Sequence, residues 1–112
     1  MSDNKEKAFD EMSQSFQRAF GYSSNKHYRQ SIPLYEKALA EDKHNFPALN
    51  NMAVAKIYIG IEEKNIGLIK TAMAHLKDAI TITKEVYKYP DGYPIAEQNL
   101  IWAQEEFTKL IQ

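Results

Sequence analysis

Apolar residues return every three or four positions along almost the whole chain, and no long segment alternates strictly between apolar and polar residues. This spacing matches the 3.6-residue turn of an α-helix, whereas a half-buried strand needs a period of two. The pattern therefore predicts an all-α protein of about five helices. Their approximate predicted ranges are Lys5–Tyr22, His27–Glu41, Phe46–Ile59, Asn65–Lys88 and Pro94–Ile111.

Glycine, proline and short polar residues punctuate this pattern. Gly21 and the polar residues after it are predicted to end the first helix, and Gly60 the third, because glycine accepts the left-handed conformation common at helix ends. Asn45 is placed to cap the third helix, with Pro47 in its first turn. Residues 88–94, KYPDGYP, predict the clearest turn of the chain.

Pro33 complicates the second helix. A proline inside a helix removes one hydrogen-bond donor and costs about 3 kcal/mol. The sequence therefore predicts that this helix either starts near Gln30 or is kinked at Pro33.

Four of the predicted helices carry an apolar stripe that we expect to face the core. The stripes are Phe9, Met12, Phe16 and Ala19; then Tyr28, Ser31, Ile32, Tyr35, Ala38 and Leu39; then Ile66, Ile69, Met73, Leu76 and Ile80; and last Ala96, Leu100, Ala103, Phe107 and Leu110. The third helix instead carries Ala48, Ala53 and Ala55, which allow another helix to approach closely.

Composition narrows the functional classes. A chain of 112 residues with 44% hydrophobic content suits a single domain, residues 1–112. Its 14 basic and 15 acidic side chains nearly cancel and form no long run of one sign, which disfavours nucleic acid and anionic lipid as partners. There is no cysteine, and the polar start MSDNKEK lacks the apolar core of a signal peptide. We expect a cytoplasmic protein that does not span a membrane.

Candidates for catalysis are few. The histidines, His27, His44 and His75, are far apart in the sequence, and His75 and Asp78 lie one helical turn apart, where they could share a metal. Two ligands do not make a metal site, and no glycine-rich phosphate loop occurs. We therefore expect no enzymatic activity, no metal and no cofactor.

An internal repeat distinguishes a bundle from a solenoid. Residues 27–60 match the pattern YxxAIxxYxKALxxDPxN followed by AxxNLAxAxxxxG. The matching residues are Tyr28, Ile32, Tyr35, Lys37, Ala38, Leu39, Asp42, Asn45, Ala48, Asn51, Met52, Ala53, Ala55 and Gly60. A further copy begins at Ala96, 48 residues after Ala48. In this respect the chain resembles the tetratricopeptide repeat (TPR) family, with about two and a half repeats.

The chain also departs from the family pattern. The segment between Gly60 and Ala72 is seven residues longer than a standard repeat permits. Lys43 replaces the usual proline, Ile101 stands where a small residue is expected, and the first helix fits in two registers.

The resemblance implies a short α-solenoid of stacked helix hairpins that binds a partner segment in its concave groove. Mapped onto this chain, the groove residues are Phe20, Asn50, Asn51, Val54, Gln98, Asn99 and Trp102, with Phe16 as a further candidate. Their amides and aromatic rings suit an uncharged peptide backbone. The family's carboxylate clamp needs lysine and arginine, which are absent from these positions, so we expect no recognition of an acidic chaperone tail.

Two other interpretations stay open. The first is a small regulatory or inhibitory protein that covers its partner with a convex face. The second is a homodimer, for which the tyrosines around the predicted turn, Tyr87, Tyr89 and Tyr93, offer a surface. A packed turn is the alternative explanation of these tyrosines.

Overall fold

The computed structural model describes residues 13–112, and this part of the chain folds into helices without any strand. The helices are α1 (Gln14–Ser24), α2 (Tyr28–Glu41), α3 (Phe46–Glu63), α4 (Ile66–Glu85) and α5 (Pro94–Ile111). The all-helical prediction is confirmed for these residues. The predicted start of the first helix, with Phe9 and Met12, lies outside them.

Side chains cap the starts of three helices. Ser13, Asn45 and Asn65 each accept a hydrogen bond, 3.1 Å long, from the backbone N–H three residues further on. Such a bond satisfies one of the free donors of a helix's first turn and stabilises it by about 1 kcal/mol. The predicted cap at Asn45, with Pro47 in the first turn of α3, is thus confirmed.

The predicted end of the third helix at Gly60 is wrong. Helix α3 continues to Glu63, and Lys64 takes the left-handed conformation that ends it, with φ 53°. Gly60 is instead the point where α4 comes closest, because a Cβ there would lie 2.8 Å from Ile69 Cδ1. Glycine is required at this position for close packing and not for its backbone freedom.

Other helix ends also differ from the prediction. Helix α1 continues past Gly21 to Ser24, and α4 ends at Glu85 instead of Lys88. Helix α2 begins at Tyr28, two residues before Gln30, and includes Pro33 in its second turn. Pro33 is exposed, so water can reach the carbonyl group that its missing N–H leaves without a helical partner.

The core consists of two clusters that share α3. One lies between α1, α2 and α3, and its buried side chains are Phe16, Ala19, Tyr35, Ala38, Ala48 and Met52. The other lies between α3, α4 and α5, with Leu49, Ala53, Ile57, Ile69, Ala72, Leu76, Ala79, Ala96 and Ala103 buried. Because α3 contributes to both clusters, it is apolar around most of its circumference, as expected of a central helix.

Consecutive helices make the main contacts of the described chain, and α3 also touches both α1 and α5. The resulting body measures 49 × 31 × 23 Å. The odd-numbered helices therefore lie side by side, with α3 in the middle.

The tyrosines of the turn between α4 and α5 surround Phe46 at the start of α3. Their ring centres lie between 5.1 and 5.8 Å from that of Phe46. Burial raises the pKa of Tyr93 to about 12. Gly92 completes the turn with φ 65° and donates its N–H to Tyr89 over 3.1 Å. These contacts favour a packed turn as the explanation of the tyrosines.

Candidate functional site

Helices α1, α3 and α5 lie side by side and carry the accessible side chains of Phe20, Asn51, Val54, Tyr58, Gln98 and Trp102. We call this set the odd-helix face. On α3, Asn51, Val54 and Tyr58 follow each other at steps of three and four residues, which places them on one stripe. None of these side chains is fully buried. Most of the predicted groove residues therefore lie on neighbouring helices and are at least partly accessible.

A chain of side-chain hydrogen bonds joins α5 to α3 beneath this surface. Asn99 Nδ2 donates to Asn50 Oδ1 over 3.0 Å, and Asn50 Nδ2 donates to Asn51 Oδ1 over 3.3 Å. Asn50 is only 5% exposed. The amide of Asn50 therefore holds helices together, and is placed differently from the other predicted groove residues.

The same chain of bonds continues from α3 to α1. Asn51 hydrogen-bonds to the hydroxyl of Tyr35, which is 2.7 Å from Ser23 Oγ. Ser23 donates in turn to the carbonyl oxygen of Phe20 over 3.2 Å, so the Tyr35 hydroxyl is the donor to Ser23. Burial raises the pKa of Tyr35, which keeps its hydroxyl protonated for this role. We call the five side chains Asn99, Asn50, Asn51, Tyr35 and Ser23 the polar relay.

The polar relay links α5, α3, α2 and α1 with every donor pointing the same way. Aligned bonds of this kind strengthen one another, and a partly satisfied network is costly in a protein interior. Among the described residues no buried side-chain nitrogen or oxygen lacks a partner. The relay thus fixes the relative positions of the helices that carry the odd-helix face.

Removal of the Asn50 amide tests the polar relay. Asn50→Leu keeps the volume but leaves Asn99 without its acceptor, so we expect a loss of about 1 to 2 kcal/mol in the free energy of unfolding. Asn99→Leu alone is expected to cost less, because Asn99 is only half-buried. Urea denaturation of both variants and of the double variant measures the coupling between the two amides. Strictly additive losses would contradict the bond.

Three aromatic rings line one end of the odd-helix face. The rings of Tyr28 and Tyr58 are stacked with centres 4.7 Å apart and planes 13° apart. The rings of Tyr58 and Trp102 meet at 66° with centres 5.1 Å apart. We call Tyr28, Tyr58 and Trp102 the aromatic row. Tyr58 was not among the predicted groove residues, although it lies four residues after Val54 on the same stripe.

The polar atoms of this row reach solvent. Trp102 and Tyr28 are only partly exposed, and the described structure gives Trp102 Nε1 and the Tyr28 hydroxyl no hydrogen-bond partner. Since no buried polar atom among the described residues is unpaired, both atoms must be accessible. The row therefore offers ring surfaces together with unused donors.

A separate polar pair lies on the other side of α3. The Nζ of Lys56 is 2.9 Å from Nε2 of His75, and Lys56 is buried. An ammonium group can only donate, so Nε2 is the acceptor and the neutral ring carries its proton on Nδ1. Burial and the charge of Lys56 lower the pKa of His75 to about 4, against a smaller opposing effect of Asp78.

His75 and Asp78 also line a cleft of about 390 Å³ between α2, α3 and α4. The rest of its lining is Leu39, Lys43, Leu49, Thr81 and Ile82. Within residues 13–112 no three side chains of the kinds that bind metals come together. The geometry therefore does not build a metal centre around His75.

Comparison with known proteins adds no relative from which a function could be transferred. No protein-family model, no curated protein and no solved structure matches the chain. The described helices include none that is both long and apolar enough to cross a membrane.

Proposed function

We propose that the protein is an interaction module, which binds a segment of another protein on the odd-helix face and catalyses no reaction. We further propose that its helices form a short solenoid of the tetratricopeptide kind. The contacts of α3 with both α1 and α5 support this arrangement, because alternate helices lie side by side in a solenoid. The repeat from Tyr28 to Gly60 supports it independently.

The observation that carries the proposal is the aromatic row on a rigid support. Tyr58 is 45% exposed at the surface of the central helix, between two other rings, while the polar relay fixes the helices beneath. Tyrosine and tryptophan are enriched among the residues that dominate binding energy. A preformed surface also spares a partner the entropic cost of ordering it.

A second candidate function is supported by α5. Ile101 is 57% exposed and lies about 100° around the helix from Trp102, on a different side. Ile111, near the end of the same helix, is 55% exposed. Such side chains suit a regulatory protein that covers its partner with the outer side of α5, or a homodimer formed through it.

A peptide-display library selected on the purified protein tests the proposal. We expect the protein to enrich a set of related peptides, and Tyr58→Ala and Trp102→Ala to weaken their binding at least tenfold, because each removes a ring of the aromatic row. Ile101→Ala is the matched control, since it truncates a neighbouring exposed side chain outside the row. Circular dichroism of each variant checks that the helices persist.

Two outcomes would contradict the proposal. If no peptide is enriched, the odd-helix face does not bind extended or helical segments. If Ile101→Ala weakens binding while Tyr58→Ala leaves it unchanged, the outer side of α5 is the binding site. Sedimentation of the protein alone then distinguishes a homodimer from a regulatory surface.

A further inference from the structure

We infer that the odd-helix face recognises a proline-rich segment in the polyproline II conformation that carries a lysine or arginine beside its prolines. This inference rests on the proposed function, since it names the partner of the same surface. Three features of the described residues support it: the spacing of the rings, the donors at their edges, and the charges around them.

The rings of the aromatic row have the dimensions of a polyproline II turn. Their successive centres lie 4.7 and 5.1 Å apart. A polyproline II helix rises about 9 Å in its three-residue turn, which is comparable with the length of three rings in successive contact. The rings of Tyr58 and Trp102 meet edge to face and in contact, so together they present one aromatic surface, and proline rings dock against aromatic surfaces.

The unused polar atoms of the row match the backbone of such a segment. A polyproline II helix has no internal hydrogen bonds, so its carbonyl oxygens point outward and need donors. Trp102 Nε1 is a donor only, and the Tyr28 hydroxyl can also donate. Because proline has no N–H, the segment makes little demand for acceptors in return.

The charges near the row favour a basic residue in the ligand. Arg29 pairs with Glu63, and Lys109 pairs with Glu106, which leaves these four nearly neutral in sum. Glu62 is exposed, forms no ion pair within residues 13–112, and lies one helical turn beyond Tyr58 on the same stripe. A lysine or arginine at the end of the bound segment would pair with it.

A helical ligand and a second copy of the chain fit these features less well. A helix satisfies its own backbone, so it would leave the donors of Trp102 and Tyr28 unused. In a second copy that placed the same face against this one, Arg29 and Lys109 are already paired with Glu63 and Glu106, so neither would supply Glu62 with a free basic partner. Both occupants are outcomes of the test below.

Trp102 is the single tryptophan of the chain, so its fluorescence reports on the row directly. The probe is a synthetic peptide of about twelve residues, rich in proline, with one terminal lysine and no aromatic residue. We expect saturable binding that shifts the Trp102 emission. A control peptide of equal length and charge, with alternate prolines replaced by glycine, loses the preformed helix and is expected to bind at least tenfold more weakly.

Two variants sharpen the assignment. Tyr58→Ala retains the tryptophan reporter and is expected to weaken binding at least tenfold. Glu62→Gln is expected to weaken binding of the lysine peptide two- to fivefold, because exposed ion pairs contribute up to about 1 kcal/mol. The same variant should bind a peptide with glutamine in place of lysine as tightly as the wild type does. Adding salt should narrow the difference between the two peptides.

The result that overturns the inference is equal affinity for the proline-rich and glycine-substituted peptides, or no emission shift with either. The peptides enriched from the display library separate this failure from that of the proposed function. Enriched helical sequences that depend on Tyr58 leave the proposed function standing and replace the ligand. A Trp102 emission that shifts when the protein alone is diluted, without peptide, identifies a second copy as the occupant.

Discussion

Gly60→Val is expected to lower the free energy of unfolding by about 2 to 3 kcal/mol, because the new side chain overpacks the contact between α3 and α4. Its Cβ would lie 2.8 Å from Ile69 Cδ1 and 3.2 Å from the backbone oxygen of Asn65. Ile69 is fully buried, so in a close-packed core its side chain can give way only by displacing its neighbours. The higher helix propensity of valine offsets only about 0.5 kcal/mol. Urea denaturation measures the loss.

Gly21→Ala is the matched control. Gly21 also lies inside a helix, but no atom lies within 4 Å of a Cβ built there. We expect this change to stabilise the protein by about 0.5 to 1 kcal/mol, since alanine has a higher helix propensity than glycine and meets no other atom here.

Ile69→Val removes the atom nearest to a Cβ at residue 60, so Gly60→Ala should destabilise this variant less than it destabilises the wild type. Equal costs in both backgrounds would show that the contact is not tight.

The contrast between these glycines shows what sequence patterns predict well and what they miss. Capping depends on a side chain and a backbone group three residues apart, so Asn45 and Pro47 were identified correctly from the sequence. Gly60 was misassigned because its role depends on Ile69, which lies in the next helix. The end of α3 at Lys64 had no glycine or proline signal at all.

The predicted core stripes were correct where they depend on helical periodicity. Ile69 and Leu76 of α4, and Ala96 and Ala103 of α5, are all fully buried. The small residues predicted for α3, Ala48, Ala53 and Ala55, are also inaccessible to solvent. Periodicity could not show that α3 serves two separate clusters, because that depends on which helices lie on either side of it.

The odd-helix face was predictable in part. The stripe of Asn51 and Val54 on α3, and the position of Trp102 off the core stripe of α5, followed from the spacing of residues along single helices. The polar relay was not predictable from such spacing, because it pairs residues as far apart in the sequence as Asn50 and Asn99. The stacking of Tyr28 on Tyr58 likewise depends on the way α2 lies against α3.

The partly buried pair of Lys56 and His75 is expected to have a second large effect, on the pH dependence of the free energy of unfolding. In the folded protein the pKa of His75 is lowered to about 4, whereas in the unfolded chain it is near 6.5. Between these values the unfolded state binds more protons, so the free energy of unfolding falls as the pH decreases from about 6.5 to about 4. Above pH 6.5 both states are neutral at this ring and the effect vanishes.

We expect His75 to account for a loss of at most about 3 kcal/mol across this range, and closer to 2 kcal/mol because water reaches part of the ring. Nearby carboxylates complicate the wild-type curve, since Asp78 faces His75 and Glu36 acts on Lys56. His75→Gln keeps an acceptor for Lys56 but cannot titrate, so the difference between the two curves isolates the imidazole. Urea denaturation between pH 4 and 7.5 measures both. If the free energies of unfolding of the wild type and of His75→Gln change in parallel with pH, His75 has an ordinary pKa and Lys56 does not donate to it.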